Sequence, residues 1–145
     1  MKFEYMQEAL KIAKKSGNDI PVGAVIVREN KVIARAVNQR EEEQNAIRHA
    51  EITAIEKACK KLKNWRLNNC EIYVTLEPCP MCASAIIQAR ISKVYFGCYD
   101  LLNGAFGSKS DMCTIMNYNN IEIKGGILEE ECRNIIKNYF EKLRK

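Results

Sequence analysis

Apolar residues Phe3, Met6, Leu10 and Ala13 recur at helical spacing and predict an N-terminal helix that the run Ser16-Gly17-Asn18-Asp19 ends. Val22 to Val27 is a short, almost wholly apolar, β-branched run, the pattern of a strand buried on both faces. Glu29-Asn30 turns the chain and Lys31 to Val37 predicts a second strand, so the two form a hairpin. Residues 38 to 48 are polar and predict a loop. From His49 onward, Ala50, Ala54, Ile55, Ala58 and Leu62 make a helical stripe. Glu71 to Thr75 predicts a strand, Pro78 to Cys82 opens a helix that carries Ile86 and Ile87, and Lys93 to Gly97 predicts another strand. Residues 99 to 120 are rich in Gly, Asn, Ser and Asp; so long an irregular stretch predicts a functional loop. Ile121 to Lys124 reads as a last short strand, and Leu128, Cys132, Ile135, Ile136, Tyr139 and Leu143 as a closing amphipathic helix.

Strands that alternate with helices pair in parallel, and a hairpin supplies an antiparallel pair. The expected architecture is α/β: a three-layer α/β/α sandwich around a mixed five-stranded sheet. At 145 residues the chain suits a single domain, 1–145, with no linker and no internal repeat.

Composition narrows the function classes. The chain is 47% hydrophobic and 28% charged, as soluble globular domains are, which excludes a mainly disordered protein. No apolar run approaches the ~20 residues of a membrane helix, and Met1-Lys2-Phe3-Glu4 predicts no export signal. A cytoplasmic protein with no membrane partner is expected. The net charge of +5 permits a polyanionic partner without requiring one. Lys57, Lys60, Lys61, Lys63 and Arg66 cluster near the end of the second long helix, and Arg133, Lys137, Lys142, Arg144 and Lys145 lie on the last. Either group is a solvated face or a set of phosphate contacts.

Seven cysteines cannot all pair within the chain, and reduced thiols are expected. Most suit small buried positions. Cys79 and Cys82 differ. Their spacing sets both sulfurs in one helical turn, and a helix N-terminus favours thiolates, so both are expected to ionise easily. The single histidine, His49, stands in His-Ala-Glu at another predicted helix start. One His and two Cys make three zinc ligands, as in catalytic sites that keep one position open. Glu51 then stands close enough to manage protons without ligating. Each motif also has a plainer reading: a redox or buried Cys pair, a structural histidine, a glutamate serving the helix dipole. A closed structural site would need a fourth ligand from Cys59, Cys70, Cys98, Cys113 or Cys132. His-x-Glu followed by Pro-Cys-x-x-Cys is, however, the signature of zinc nucleobase deaminases, in which a hydrolytic attack releases ammonia from an amidine-like ring carbon.

The chain resembles the tRNA-specific adenosine deaminases along nearly its whole length. The resemblance rests on Ile20 to Val25, Asn38, His49 to Glu51, Tyr73 to Cys82, Gly97 to Asp100, Gly104 to Ser108, Asn117 to Asn119 and Gly126 to Leu128. It implies the cytidine-deaminase-like fold, one zinc per subunit on His49, Cys79 and Cys82, and Glu51 as the proton shuttle. It implies that Asn38 hydrogen-bonds the purine and that Pro21, Val22 and Ala50 line the base pocket. Asp100 is implied near the ribose and backbone of the flipped nucleotide, and Tyr118 and Asn119 near the anticodon. The implied activity is conversion of the wobble adenosine of a tRNA anticodon loop to inosine by a homodimer. Asn45-Ala46-Ile47-Arg48 departs from the Asp-Pro-Thr-Ala of many bacterial members and is similar to the catalytic subunit of the eukaryotic heterodimeric enzyme. A free-base or nucleoside deaminase acting on guanine or cytosine, and a non-catalytic zinc-binding partner subunit, are the alternatives.

Overall fold

A computed structural model describes residues 1–144. Helix α1 (Phe3–Ala13) leads into strands β1 (Gly23–Arg28) and β2 (Lys31–Val37). Both turn residues between the strands take left-handed backbone angles, Glu29 at φ 51° and Asn30 at φ 61°, which matches the right-handed twist of a tight hairpin. There follow α2 (Arg40–Glu43), α3 (Ala50–Leu62), β3 (Cys70–Leu76), α4 (Pro80–Gln88), β4 (Lys93–Cys98), α5 (Met112–Ile115), β5 (Glu122–Lys124) and α6 (Glu129–Leu143). The expected order holds for every long element.

The sheet order is β2-β1-β3-β4-β5. β1 is antiparallel to both β2 and β3, while β3, β4 and β5 run parallel. Four strands thus share one direction and β1 opposes them. The carboxyl ends of β2, β3 and β4 therefore lie along the same sheet edge as the start of β1. Alternate residues of the central strands enter two cores. Ile26, Ile72, Val74, Val94 and Phe96 pack with Ala50, Ala54 and Ala58 of α3 and Ile86 of α4. Val25, Val27, Tyr73 and Tyr95 pack on the other face with Met6, Ala9 and Ile12 of α1 and Cys132 of α6. This is the three-layer sandwich with a mixed five-stranded sheet. No helix among the described residues is long and apolar enough to cross a membrane.

Two stretches read as irregular contain structure. Residues 40–43 form α2, whose start is capped by Asp19: both carboxylate oxygens accept from the Glu41 N–H, at 3.1 and 3.2 Å. The cap is 22 residues away in sequence, so the polar run gave no local sign of it. Residues 99–120 contain a Phe106–Asp111 bridge and the single turn α5, where Asp111 accepts from the Cys113 N–H. Lys145 lies outside the described residues.

Gly23 shows how close α1 sits to the sheet. A Cβ there would collide with the Ala9 carbonyl and stand 2.8 Å from the Ala13 nitrogen, both backbone atoms that cannot swing away. Gly23→Ala is expected to cost about 1–3 kcal/mol by overpacking. At ~2–4 °C per kcal/mol for a domain of this size, thermal unfolding should shift down by several degrees.

Candidate active site

The site is built where two helices begin. His49 is the N-cap of α3 and Cys79 the N-cap of α4, both with extended backbone. Such positions normally use their side chains to satisfy the first helical N–H groups. Here neither does. The first N–H of α3, on Ala50, is taken instead by the Asn38 Oδ1 at 2.9 Å. α4 begins with Pro80, which has no N–H to satisfy. The imidazole and the thiol are thereby free to turn toward each other. His49 Nδ1 stands 3.6 Å from the Cys79 Sγ and 3.5 Å from the Cys82 Sγ.

These three residues form one cluster whose donor atoms lie within 4.8 Å of one another. A tetrahedral zinc with bonds of about 2.0–2.3 Å spaces its ligands about 3.6 Å apart. The observed nitrogen–sulfur distances match that spacing, and the one-His, two-Cys donor set suits zinc. None of Cys59, Cys70, Cys98, Cys113 or Cys132 joins the cluster, so three protein donors leave a fourth position open.

Glu51, in the first turn of α3, is 4% exposed. Burial, the largest effect, pushes its carboxyl up to about 7, against a backbone hydrogen bond and the His49 charge that lower it. The two cysteines do not behave alike. A hydrogen bond from Cys82, and then one from His49, pull the Cys79 thiol well below its usual range. Cys82 is driven far up by that same contact, by burial and by Glu51. The expectation that both ionise easily is corrected for the metal-free site: two adjacent thiolates repel, so one proton stays between them. His49 is raised, first by its hydrogen bond with Cys79.

A pocket of about 290 Å³ opens over this cluster. Its walls come from the carboxyl ends of three strands and the start of β1. Ile20 and Val22 precede β1, Asn38 and Arg40 follow β2, Leu76 ends β3 and Glu77 follows it, and Asp100 and Asn103 follow β4. Ligand sites at this edge of an α/β sheet are a general rule.

The residues named from sequence are distributed unevenly. His49, Glu51, Cys79, Val22, Asn38 and Asp100 line the pocket, and Cys82 lies beneath it, fully buried. Ala50 is wholly buried and its N–H is committed to Asn38. Asn38 also donates from Nδ2 to the Ile20 carbonyl at 3.1 Å, so its amide holds two pocket walls together. Pro21 faces away, toward Lys14, Gly17 and Tyr139. Tyr118 lies under the Arg90 guanidinium, 5.8 Å from the ring centre. Arg90 follows the C-terminal end of α4, a helix length of about 13 Å from the cysteines, so Tyr118 and Asn119 do not share the pocket of their own chain. Asp100 accepts from the Leu102 and Asn103 N–H groups at 3.1 Å each. Sequence reading missed Arg40, Asn103 and Glu77. For the first two, only their place beside Asn38 and Asp100 could have signalled the pocket; Glu77 stood inside the quoted Leu-Glu-Pro-Cys run without a role.

Residues 2–98 match the cytidine and deoxycytidylate deaminase zinc-binding region. The chain is 46% identical over 144 residues to the tRNA-specific adenosine deaminase of Bacillus subtilis, covering 97% of this chain and 89% of that one. A solved tRNA:A34 deaminase superposes with a TM-score of 0.85 at 37% identity, covering 92% of this chain and 99% of that one. The guanine deaminase of Bacillus subtilis superposes with a TM-score of 0.67 at 35% identity, over 81% and 76%. The chain belongs to the zinc-binding cytidine and deoxycytidylate deaminase family and, within it, to the tRNA-specific adenosine deaminases. It is a zinc-dependent hydrolase.

Zinc uptake must displace the proton on Cys82 and, where His49 is charged, a second from the imidazole. Binding that releases protons strengthens as pH rises. Apparent zinc affinity is therefore expected to climb by about one to two decades per pH unit between pH 6 and 8. Calorimetric titration in two buffers of different ionisation enthalpy counts the protons released. A pH-independent affinity would contradict this assignment.

Proposed function

We propose that the protein, as a homodimer, hydrolyses the wobble adenosine of a tRNA anticodon loop to inosine and ammonia, in the cytoplasm and with no membrane partner. The single chain 1–145 acts as one catalytic domain. The observation that carries this reading is the three-donor cluster with a fourth position open beside a buried, proton-ready carboxyl. His49, Cys79 and Cys82 hold the zinc, which supplies Lewis acidity and makes water nucleophilic near neutral pH.

Glu51 performs the proton work. Its carboxylate takes a proton as water adds at C6 and passes it to the adjacent ring nitrogen. It then delivers the second water proton to the departing amino group, which leaves as ammonia. A carboxyl tuned to about 7 gives and takes protons with small driving force in either direction. Val22 and Ile20 supply apolar contact for a base, and Asn38 keeps one amide hydrogen and one lone pair for its edge. The relatives' action on tRNA, and a pocket that admits one base but not a duplex, support an adenosine turned out of its loop. Asp100 and Arg40 also line the pocket and would meet the ribose and phosphates of the same nucleotide.

The dimer reading rests on geometry and surface. Tyr118 and Asn119 reach a base pocket only if it is the partner's. Ile47, Trp65 and Ile115 leave apolar surface exposed, at 49%, 54% and 65%.

The decisive assay offers the zinc-loaded protein an adenosine-34 anticodon stem-loop beside free adenosine, cytidine, cytosine and guanine. Inosine in the stem-loop is expected; turnover of guanine or cytosine alone would move the protein to the free-base branch. Glu51→Ala should keep zinc and fold while losing at least ~10²-fold in rate. An unchanged rate would remove Glu51 from the mechanism and leave a zinc-binding partner subunit as the better reading. Light scattering should give a particle of twice the chain mass of 16.6 kDa.

A further inference from the structure

Glu77 is the other acid buried at the pocket, 2% exposed, and proton transfer does not use it. Its two oxygens receive four hydrogen bonds. Oε1 accepts from the Asp100 N–H at 3.1 Å and the Ser108 hydroxyl at 2.5 Å. Oε2 accepts from the Phe106 and Ser108 N–H groups, both at 3.1 Å. A carboxylate has about four acceptor sites, so this one is filled and has nothing left for substrate. Every donor comes from residues 100–108. Gly104 lies in the same loop because a Cβ there would run into the Glu77 carboxyl. Neighbouring main-chain bonds close the seam: the Glu77 N–H donates to the Cys98 carbonyl at 2.9 Å, and the Ala105 N–H to the Pro78 carbonyl at 2.8 Å.

We propose that Glu77 is a positioning residue for substrate: its carboxylate clasps the 100–108 loop and so fixes the Asp100–Asn103 wall of the base pocket. The wall hangs from the clasp in series. Glu77 holds the Asp100 N–H, and the Asp100 carboxylate in turn holds the N–H groups of Leu102 and Asn103. Asp100 and Asn103 face the pocket, while Leu101 and Leu102 are displayed to solvent at 76% and 80% exposure. A carboxylate does this better than an amide, because all four positions around it are occupied by donors.

Glu77→Gln tests the clasp with little change of shape. The new NH₂ cannot sit at the Oε2 position, where it would face two backbone N–H groups. At the Oε1 position it faces the Ser108 hydroxyl, which can rotate and accept, and the Asp100 N–H, which cannot. The variant therefore releases Asp100 and keeps Phe106 and Ser108 held.

The inference rests on the deaminase reading of this pocket, so the experiment has two independent readouts. Amide exchange by NMR on the zinc-loaded protein should show Asp100 losing protection in Glu77→Gln while Phe106 and Ser108 keep theirs. Kinetics on the adenosine-34 stem-loop should show KM raised roughly tenfold, the size of one lost hydrogen bond to a charged acceptor, with kcat within about threefold. Zinc content should stay at one per chain. Gly104→Ala, which keeps the glutamate but drives a methyl between its carboxyl and the Asp100 carbonyl and so forces the clasp apart, should raise KM in the same way and serves if Glu77→Gln does not fold. Unchanged Asp100 exchange, unchanged KM, or loss of zinc together with kcat would overturn the proposal. A wild-type protein without deaminase activity would instead refute the reading of the pocket, and the Asp100 exchange would still decide the clasp.

Discussion

Two helices that begin without side-chain caps set the geometry on which everything else depends. An N-cap residue ordinarily spends its side chain on its own helix. At His49 the first helical N–H is satisfied by Asn38 from the end of β2, and at Cys79 the first helical residue is a proline. Both side chains are thereby released, and the packing of α3 beside α4 on one face of the sheet brings them within 3.6 Å. The helix N-termini also place partial positive charge where thiolate and carboxylate must gather. The metal cluster thus follows from how two helix starts are terminated as much as from the identity of its three donors.

Two glutamates show how one residue type meets opposite environments. Glu51 and Glu77 are both buried at the pocket. Glu51 has one backbone partner, and desolvation leaves its charge poorly compensated, so its carboxyl holds a proton up to about neutral pH. Glu77 has all its acceptor sites filled by donors of the 100–108 loop, so it ties that loop to the end of β3. The occupancy of the lone pairs separates the carboxyl left free from the one that is clasped.

Asn38 and Asp100 carry a related lesson. Resemblance placed both against the substrate. Both line the pocket, and both also spend acceptor capacity on the protein: Asn38 on Ala50 and Asp100 on Leu102 and Asn103. Groups that hold their own walls are preorganised for a ligand, since little freedom remains to be lost on binding. Pro21, Tyr118 and Asn119 lie apart from this pocket because neighbouring residues in sequence leave it in different directions once β1 and α4 are formed.

The long elements were legible along the chain because their periodicities are local: 3.6 residues for α1, α3 and α6, and an almost wholly apolar, β-rich run for β1. The donors of the cluster were legible too, since a lone histidine and a single close Cys pair leave few other partners for a zinc. What was not legible came from contacts across the chain. Asp19 caps α2 from 22 residues away, and Glu77 gathers donors from 23 to 31 residues downstream. The division of protons between Cys79 and Cys82 likewise required two sulfurs in one buried place. Sequence by itself determined the element order, the layer architecture and the candidate His–Cys–Cys set, because each is written in residue type and short-range spacing. Tertiary structure alone decided which acid stays free, which is clasped and which walls meet, because hydrogen-bond saturation and desolvation exist only where distant segments are brought together.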